Sequence, residues 1–366
     1  MRIAIQPDDY GLTPDGQRDA SSPRWAEMAK AAGHEVHWVD VFRTDILSQV
    51  RGCHGFMWRH AHTSAHRAIA TRLLPVLECQ LGLCVYPDQN TCRHYDDKIA
   101  QWYLLEAAGV PTPRTSVFWR RSDAEEFCRT ATYPLVFKLW AGAGSSNVRL
   151  VRSPAEALAW VERMFTRGVG KLEAPGRGRL HQYVQIARSL ARDALSPGRP
   201  PAEANLWETW ELHRNYVLFQ EFLPHNAFDT RITVIGNRAF GFRRFNREGD
   251  FRASGSGRID HDPAGIDLKF VRLAFDAARV LGTQSCAIDG LLRGDEPVVG
   301  EISYTYASWA VQRCPGYWQS SPDGAARELA WHPGPIWPEE AQMEDFLARL
   351  SHWPRGVDAA THTSPV

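Results

Sequence analysis

The chain has 366 residues, with 42 lysines plus arginines against 42 aspartates plus glutamates, so its formal net charge is zero at pH 7. That length allows two or three packed units, and the balance of charge leaves no global field to recruit nucleic acid or an anionic membrane. Seven cysteines without a C-x-x-C pair are no disulfide framework, and no apolar run approaches the ~20 residues a membrane helix needs.

The opening MRIAIQPDDYG is too short and too soon charged for a signal peptide, so a cytoplasmic location is expected. The patterning then predicts a strand at 2–6, a helix at 25–32 stopped by Gly33, strands at 36–41 and 55–59, a helix at 64–81 and a strand at 83–86. Strands alternating with helices imply a parallel α/β layer. Another helix is expected at 96–108, with Asp96 and Asp97 in its first turn where the helix dipole favours them, then a strand at 115–118 and a helix at 122–130. The stretch 133–151, YPLVFKLWAGAGSSNVRLV, reads strand, glycine-serine loop, strand. Ser153-Pro154 opens another helix to about 165.

Residues 167–214, rich in Arg, Gly and Pro, break this rhythm and read as an insertion with one helix around 181–194. It is either a surface excursion or an arginine-bearing lid. Strands at 216–223, 230–235 and 238–244 lie close enough together for an antiparallel sheet. A helix at 263–281 and strands at 285–292 and 297–303 complete the ordered part. After Tyr306 the order fades to Pro-rich linkers around one helix at 338–350, and the last dozen residues read as disordered.

Three places carry chemistry. Lys138 ends an apolar strand, where an unpaired ammonium is costly and calls for an anion. Gly142, Gly144, Ser145 and Ser146, just beyond it, offer backbone N–H groups and hydroxyls to the same anion. In the hairpin 285–303, a three-residue loop puts Asp289 opposite Glu301, with Ser303 on the same face. Such a pair stays ionised with a cation between, and all-oxygen donors select Mg2+ or Mn2+. A two-residue loop would instead send the two acids to opposite faces. The third place is a basic row. Strand alternation puts Arg244 and Phe242 on one face and Arg243 on the other, and DFRASGSG (250–257) adds Arg252, serines and glycines suited to a phosphate or carboxylate. Cys286 reads as core. The His60-x-His62…His66 spacing is compatible with a metal, but no carboxylate is nearby.

Taken in order, these segments resemble the ATP-grasp superfamily, and most nearly its carboxylate–amine ligases of the ribosomal-protein glutamate ligase and glutathione synthetase kind. The resemblance runs from Asp96 to about Ser303 through DDKIAQWYLLEAAGVPTPRT, PLVFKLWAGAGSS, LFQEFLP, DTRITVIGNRAFGFRR, DFRASGSG and IDGLLRGDEPVVGEIS. It implies an ATP-grasp fold, α/β overall with α+β character in the nucleotide part. A parallel α/β domain (1–90) would precede two subdomains sandwiching ATP (91–215, with insertion 167–214, and 216–310), with a one-helix tail at 311–366. It also implies roles: Lys98 and Lys138 on the ATP phosphates, Gln220, Glu221, Phe222 and Leu223 around adenine, Asp229 on ribose, and Arg231, Arg244 and Arg252 on phosphate and acyl intermediate. Asp289, Glu301 and Ser303 would hold the metal, with serine standing where the family usually has asparagine. The implied activity is ATP-dependent amide-bond formation from a carboxylate and an amine, both small molecules, through an acyl phosphate, releasing ADP and phosphate. A kinase on the same scaffold and a non-catalytic nucleotide-binding protein are the alternatives. Neither a nucleic-acid nor a membrane partner is expected, and a homodimer is compatible. Arg59 and His60 are candidate substrate-facing residues.

Overall fold

The computed structural model describes residues 1–11, 13–142, 147–170, 212–253, 255–321 and 328–354. It contains three sheets. The first is parallel, in the order β2 (Glu35–Trp38), β1 (Arg2–Ile5), β3 (Gly55–Met57), β4 (Cys84–Tyr86). Helix α1 (Ser22–Ala31) covers one face and α2 (Ser64–Pro75) the other, each sealing its own apolar cluster. Gly33, at φ +80°, takes the chain out of α1, a conformation that disfavours any residue with a Cβ.

The second sheet is antiparallel, in the order β5 (Thr115–Phe118), β8 (Val217–Glu221), β6 (Leu135–Lys138), β7 (Val148–Val151). It packs on α4 (Arg121–Thr130) and α5 (Pro154–Phe165). Ser153 caps α5 by accepting the Glu156 N–H, with Pro154 at the first helical position, the arrangement the sequence predicts. The expected insertion is pinched at its base by a bridge between Val169 and His213; the predicted helix at 181–194 falls outside the described residues.

The third sheet is the largest. Its order is β13 (Glu296–Ser303), β12 (Ser285–Arg293), β9 (Phe228–Ile235), β10 (Arg238–Phe245), β14 (Gly316–Gln319), β15 (Ala330–Pro333), with the short β11 (Ile259–Asp260) also on β10. Helix α6 (Leu268–Leu281) closes its apolar face. Asp267 caps the start and Gly282, at φ +68°, ends it. Helix α3 (Lys98–Ala107) contributes Leu105 to the same core.

Two expectations change here. The described residues between 311 and 354 are no tail, and the last dozen residues, expected to be disordered, lie outside the described ones. β14 and β15 extend the large sheet beyond β10, and α7 (Pro338–His352) locks the first sheet to the third. From α7, Met343, Phe346 and Leu350 enter the core beside Trp25, while Ala341 joins the apolar cluster around Phe240 and Phe242. Ser21 and Ser308 both donate to Glu339 Oε1, and Trp25 Nε1 donates to Gln342 (3.1 Å). The Pro-rich flanks hide this in the sequence, because strands of four residues carry too short a pattern to read. Second, Arg59 and His60 lie beyond the end of β3 and are buried, not surface-facing. Arg59 donates to Asp19 (2.8 Å), lies 3.5 Å from Asp8 and stacks over the Tyr10 ring. His60 is enclosed by Trp58, Tyr95 and Tyr304 rings, and burial pushes its imidazole down to about 3.

Candidate functional site

The hairpin β12–β13 carries the acid pair, but not by the expected route. Its loop has two residues, Gly294 and Asp295, and Arg293 faces Glu296. That parity alone would put Glu301 on the wrong face. A β-bulge corrects it: Gly290 pairs with Val299, Asp289 pairs with Glu301, and Gly300 is the extra residue between. A bulge inserts one residue and re-aims the side chains beyond it. Glu301 and Ser303 thereby share a face with Asp289, while Val299 and Ile302 turn into the core under α6. The helix approaches closely. A Cβ on Gly290 would fall 2.4 Å from the Phe270 ring.

Across the sheet the same face continues. Asp289 pairs with Arg231 of β9, and Asp229, two residues back, pairs with Arg244 of β10. The Arg231 guanidinium forks onto Asp289, Nε to Oδ1 at 2.6 Å and Nη2 to Oδ2 at 2.8 Å. Arg244 forks onto Asp229 at 2.7 and 2.6 Å and gives one more N–H to Asp289 Oδ2 at 2.7 Å. Burial would raise the Asp289 carboxyl, but Arg231 and Arg244 outweigh it and hold it well below the usual carboxylate range. Arg243 projects from the opposite face and pairs with Asp260.

The other half of the site comes from α3 and the end of β6. Asp97 caps α3 by accepting the Ile99 and Ala100 N–H groups. Asp96 is not in the helix. It sits at φ +52° and its Oδ1 accepts the Gly142 N–H at 2.8 Å. Lys98, the first helical residue, sends Nζ to the Gly142 carbonyl (3.0 Å) and to Glu301 Oε1 (3.1 Å). Burial opposes its charge, but Glu301 and Asp96 prevail and its pKa ends above the ordinary lysine value. Lys138 differs. No carboxylate among the described residues lies within ion-pairing distance of it. Burial pushes its ammonium down to about 8; Glu301 opposes that shift, Lys98 adds to it and Asp289 opposes it. These influences put Lys98, Lys138, Asp289 and Glu301 in one neighbourhood.

Gln220 and Glu221 end β8. Gln220 donates to Thr115 Oγ1 (2.9 Å), and Glu221 accepts from Arg114 Nε (2.7 Å) and from Arg293 Nη1 (3.4 Å). Glu221 thus ties the second sheet to the acid hairpin. Phe222 meets Phe251 edge-on at 5.7 Å, and Leu223, the next residue after Phe222, is half-buried. Arg252 is paired with Asp250, and its charge helps to lower the pKa of Arg149, after burial. Gly144, Ser145 and Ser146 lie outside the described residues.

Sequence reading missed three supports of the site. Gln101 donates to the Ile302 carbonyl (2.7 Å) and accepts the Ile302 N–H (3.1 Å), clamping β13 to α3. Ser303 donates its hydroxyl to the Thr305 carbonyl at 2.7 Å, and Thr305 Oγ1 meets the Tyr95 hydroxyl at 2.6 Å. Asp96 is the third. Only the last had a signal, an acidic residue ahead of an already capped helix.

The donor set fits a hard divalent cation. Asp289 and Glu301 are cross-strand neighbours, and the Ser303 proton is committed to Thr305, which leaves its oxygen lone pairs available. All the candidate donors are oxygens.

A model of the RimK-like ATP-grasp domain matches residues 202–306, the span that contains β8, the arginine row and the acid hairpin. Over this span the chain is similar to ATP-grasp proteins. A probable alpha-L-glutamate ligase of Thioalkalivibrio sulfidiphilus is 24% identical over 318 residues, covering 83% of this chain and 87% of that protein. The alpha-aminoadipate–LysW ligase LysX of Saccharolobus solfataricus is 24% identical over 229 residues, 62% of this chain and 66% of its own. The solved structure of the ATP-grasp ligase PsnB, complexed with minimal precursor, Mg and ADP, superposes with a TM-score of 0.52 at 16% identity, covering 95% of this chain and 98% of PsnB. The parallel sheet followed by two antiparallel sheets is the ATP-grasp architecture. The named relatives are themselves ligases. Among the described residues no helix is long and apolar enough to cross a membrane.

Proposed function

We propose that the protein joins a carboxylate to an amine at the expense of ATP, through an acyl phosphate. The observation that carries this reading is the convergence of Lys98 and Lys138 on the Glu301–Asp289 pair, backed by the Arg231–Arg244 row. Among the described residues Lys138 has no carboxylate in pairing distance, and a triphosphate would supply its anion. Lys98 and the Gly142 backbone would line the phosphates. Residues 220–223 would flank the adenine, with Asp229 a candidate for ribose. Asp289, Glu301 and Ser303 would hold Mg2+, which offsets charge on the phosphates during transfer.

In the first step a substrate carboxylate oxygen attacks the γ-phosphorus, the bond to the ADP oxygen breaks, and an acyl phosphate forms. Arg244, fixed by Asp229, and Arg231 and Arg252 are the groups suited to that anion, since guanidinium forks match phosphate and carboxylate oxygens. In the second step an unprotonated amine attacks the acyl carbon, phosphate leaves with the bonding pair, and the amine proton goes to solvent. The products are an amide, ADP and phosphate. The relatives act on different partners, one of them LysW as its name states, so the acid and amine are to be found by screening small molecules and peptides.

The test is ADP release across panels of carboxylic acids and amines, with hydroxylamine as a universal acceptor. The reading expects ADP release that needs a carboxylate and yields a hydroxamate. Stable phosphorylation of a hydroxyl, with no hydroxamate, would make the protein a kinase.

A further inference from the structure

Two arginines contend for the Asp289 carboxylate, and they are held differently. Arg231 reaches it with a full fork at 2.6 and 2.8 Å. Among the described residues, Asp289 is the one carboxylate that Arg231 pairs with. Arg244 gives Asp289 a single N–H at 2.7 Å and commits its own fork to Asp229. The Arg231 side chain is 17% exposed and that of Arg244 is 9% exposed, so Arg231 is the more open of the two.

A carboxylate offers about four lone-pair positions. Three on Asp289 already accept N–H groups: one on Oδ1, from Arg231, and two on Oδ2. The remaining position is on Oδ1. A divalent ion drawn to Asp289 and Glu301 therefore shares an oxygen with Arg231, and like charges brought that close repel. Arg244 cannot withdraw without uncovering buried Asp229. Arg231 can withdraw, because the ion itself takes over the neutralisation of Asp289.

We propose that Arg231 is an exchangeable guanidinium: it holds Asp289 until a divalent ion takes that carboxylate, and is then released to the nucleotide phosphates, while Arg244 stays pinned by Asp229. This rests on the proposed nucleotide site. It gives Arg231 two opposing thermodynamic roles, and a variant lacking it should show opposite signs. An arginine with only a structural role would weaken ion and nucleotide binding together. One that served only as a phosphate ligand would weaken nucleotide binding and leave the ion unaffected.

The experiment uses the full chain as wild type, Arg231→Met and Arg231→Lys, each first checked for cooperative thermal unfolding. Mn2+ binding without nucleotide is followed by electron paramagnetic resonance, and binding of Mg2+ with β,γ-imido-ATP by calorimetry. Arg231→Met should bind Mn2+ about tenfold more tightly and the nucleotide analogue about tenfold more weakly, the scale of one charge-assisted fork. Arg231→Lys, which keeps the charge and loses the fork, should fall between, and carries the comparison if the methionine variant does not fold. Unchanged or weakened Mn2+ binding in the variant that folds overturns the exchange. A wild type that binds no nucleotide analogue fells the nucleotide reading, and the exchange with it.

Discussion

Replacing Lys138 by methionine should make the nucleotide-free protein more stable, which is the reverse of what removing a functional lysine usually suggests. The ammonium is largely buried near Lys98, no carboxylate among the described residues lies in pairing distance, and burial lowers its pKa from 10.5 to about 8. That difference of about 2.5 units corresponds to at most ~3.4 kcal/mol, at about 1.36 kcal/mol per unit. The side chain keeps some access to water, so a gain of about 1–2 kcal/mol is expected. The sign comes from linkage. Below pH 8 both folded and unfolded chains carry the proton and the penalty is complete. Between about 8 and 10.5 the unfolded chain binds more protons, so stability rises with pH. Above that range the penalty is gone. Urea unfolding of wild type and Lys138→Met between pH 6 and 10.5 should show the variant ahead at pH 7 and the two curves meeting at high pH. Saturating Mg2+ with β,γ-imido-ATP should reverse the order, because the analogue binds only the wild type well. A variant less stable than wild type at pH 7 would refute the claim that this lysine lacks an anion.

Other substitutions probe the frame. Gly290→Val should cost about 1–3 kcal/mol by pushing on Phe270, read as a lower urea midpoint with an unchanged slope. Asp97→Ala removes the α3 cap and should cost about 1 kcal/mol; analogue affinity should fall as well, since Lys98 starts that helix. Glu301→Gln leaves the Lys98 ammonium buried with the Gly142 carbonyl as its partner, and calorimetry should find Mg2+-dependent analogue binding lost. Chelation with excess EDTA should abolish analogue binding by the wild type while leaving its circular dichroism unchanged.

The alternating elements of the first sheet, the capped helices and the strand-loop-strand around Lys138 were legible because each is encoded locally, in apolar period, cap residue or glycine. The face shared by Asp289, Glu301 and Ser303 was also foreseen, but through the wrong loop. A two-residue turn plus a bulge at Gly300 gives the same parity as a three-residue turn without one, and a bare sequence does not separate the two. Asp96 was read as helical because its neighbour Asp97 is a good cap and both are acidic. The contact that pulls Asp96 into a left-handed conformation, with Gly142, is 46 residues away. The pairing of Asp289 with Arg231 and Arg244 was invisible for a similar reason, since it depends on strand order β12-β9-β10. The strands β14 and β15 were missed because their patterns are short, while the helix at 338–350 was legible but its place in the core is tertiary, as with Gln342 reaching Trp25 across the chain.

The central claim is that two lysines and an acid pair, brought together from four parts of the chain, hold one metal–triphosphate. Calorimetric titration of β,γ-imido-ATP with and without Mg2+, on wild type, Lys138→Met and Glu301→Gln, tests it most directly. The account predicts a single Mg2+-dependent site in the wild type that both substitutions remove. Tight analogue binding that survives either substitution, or that ignores Mg2+, would contradict it.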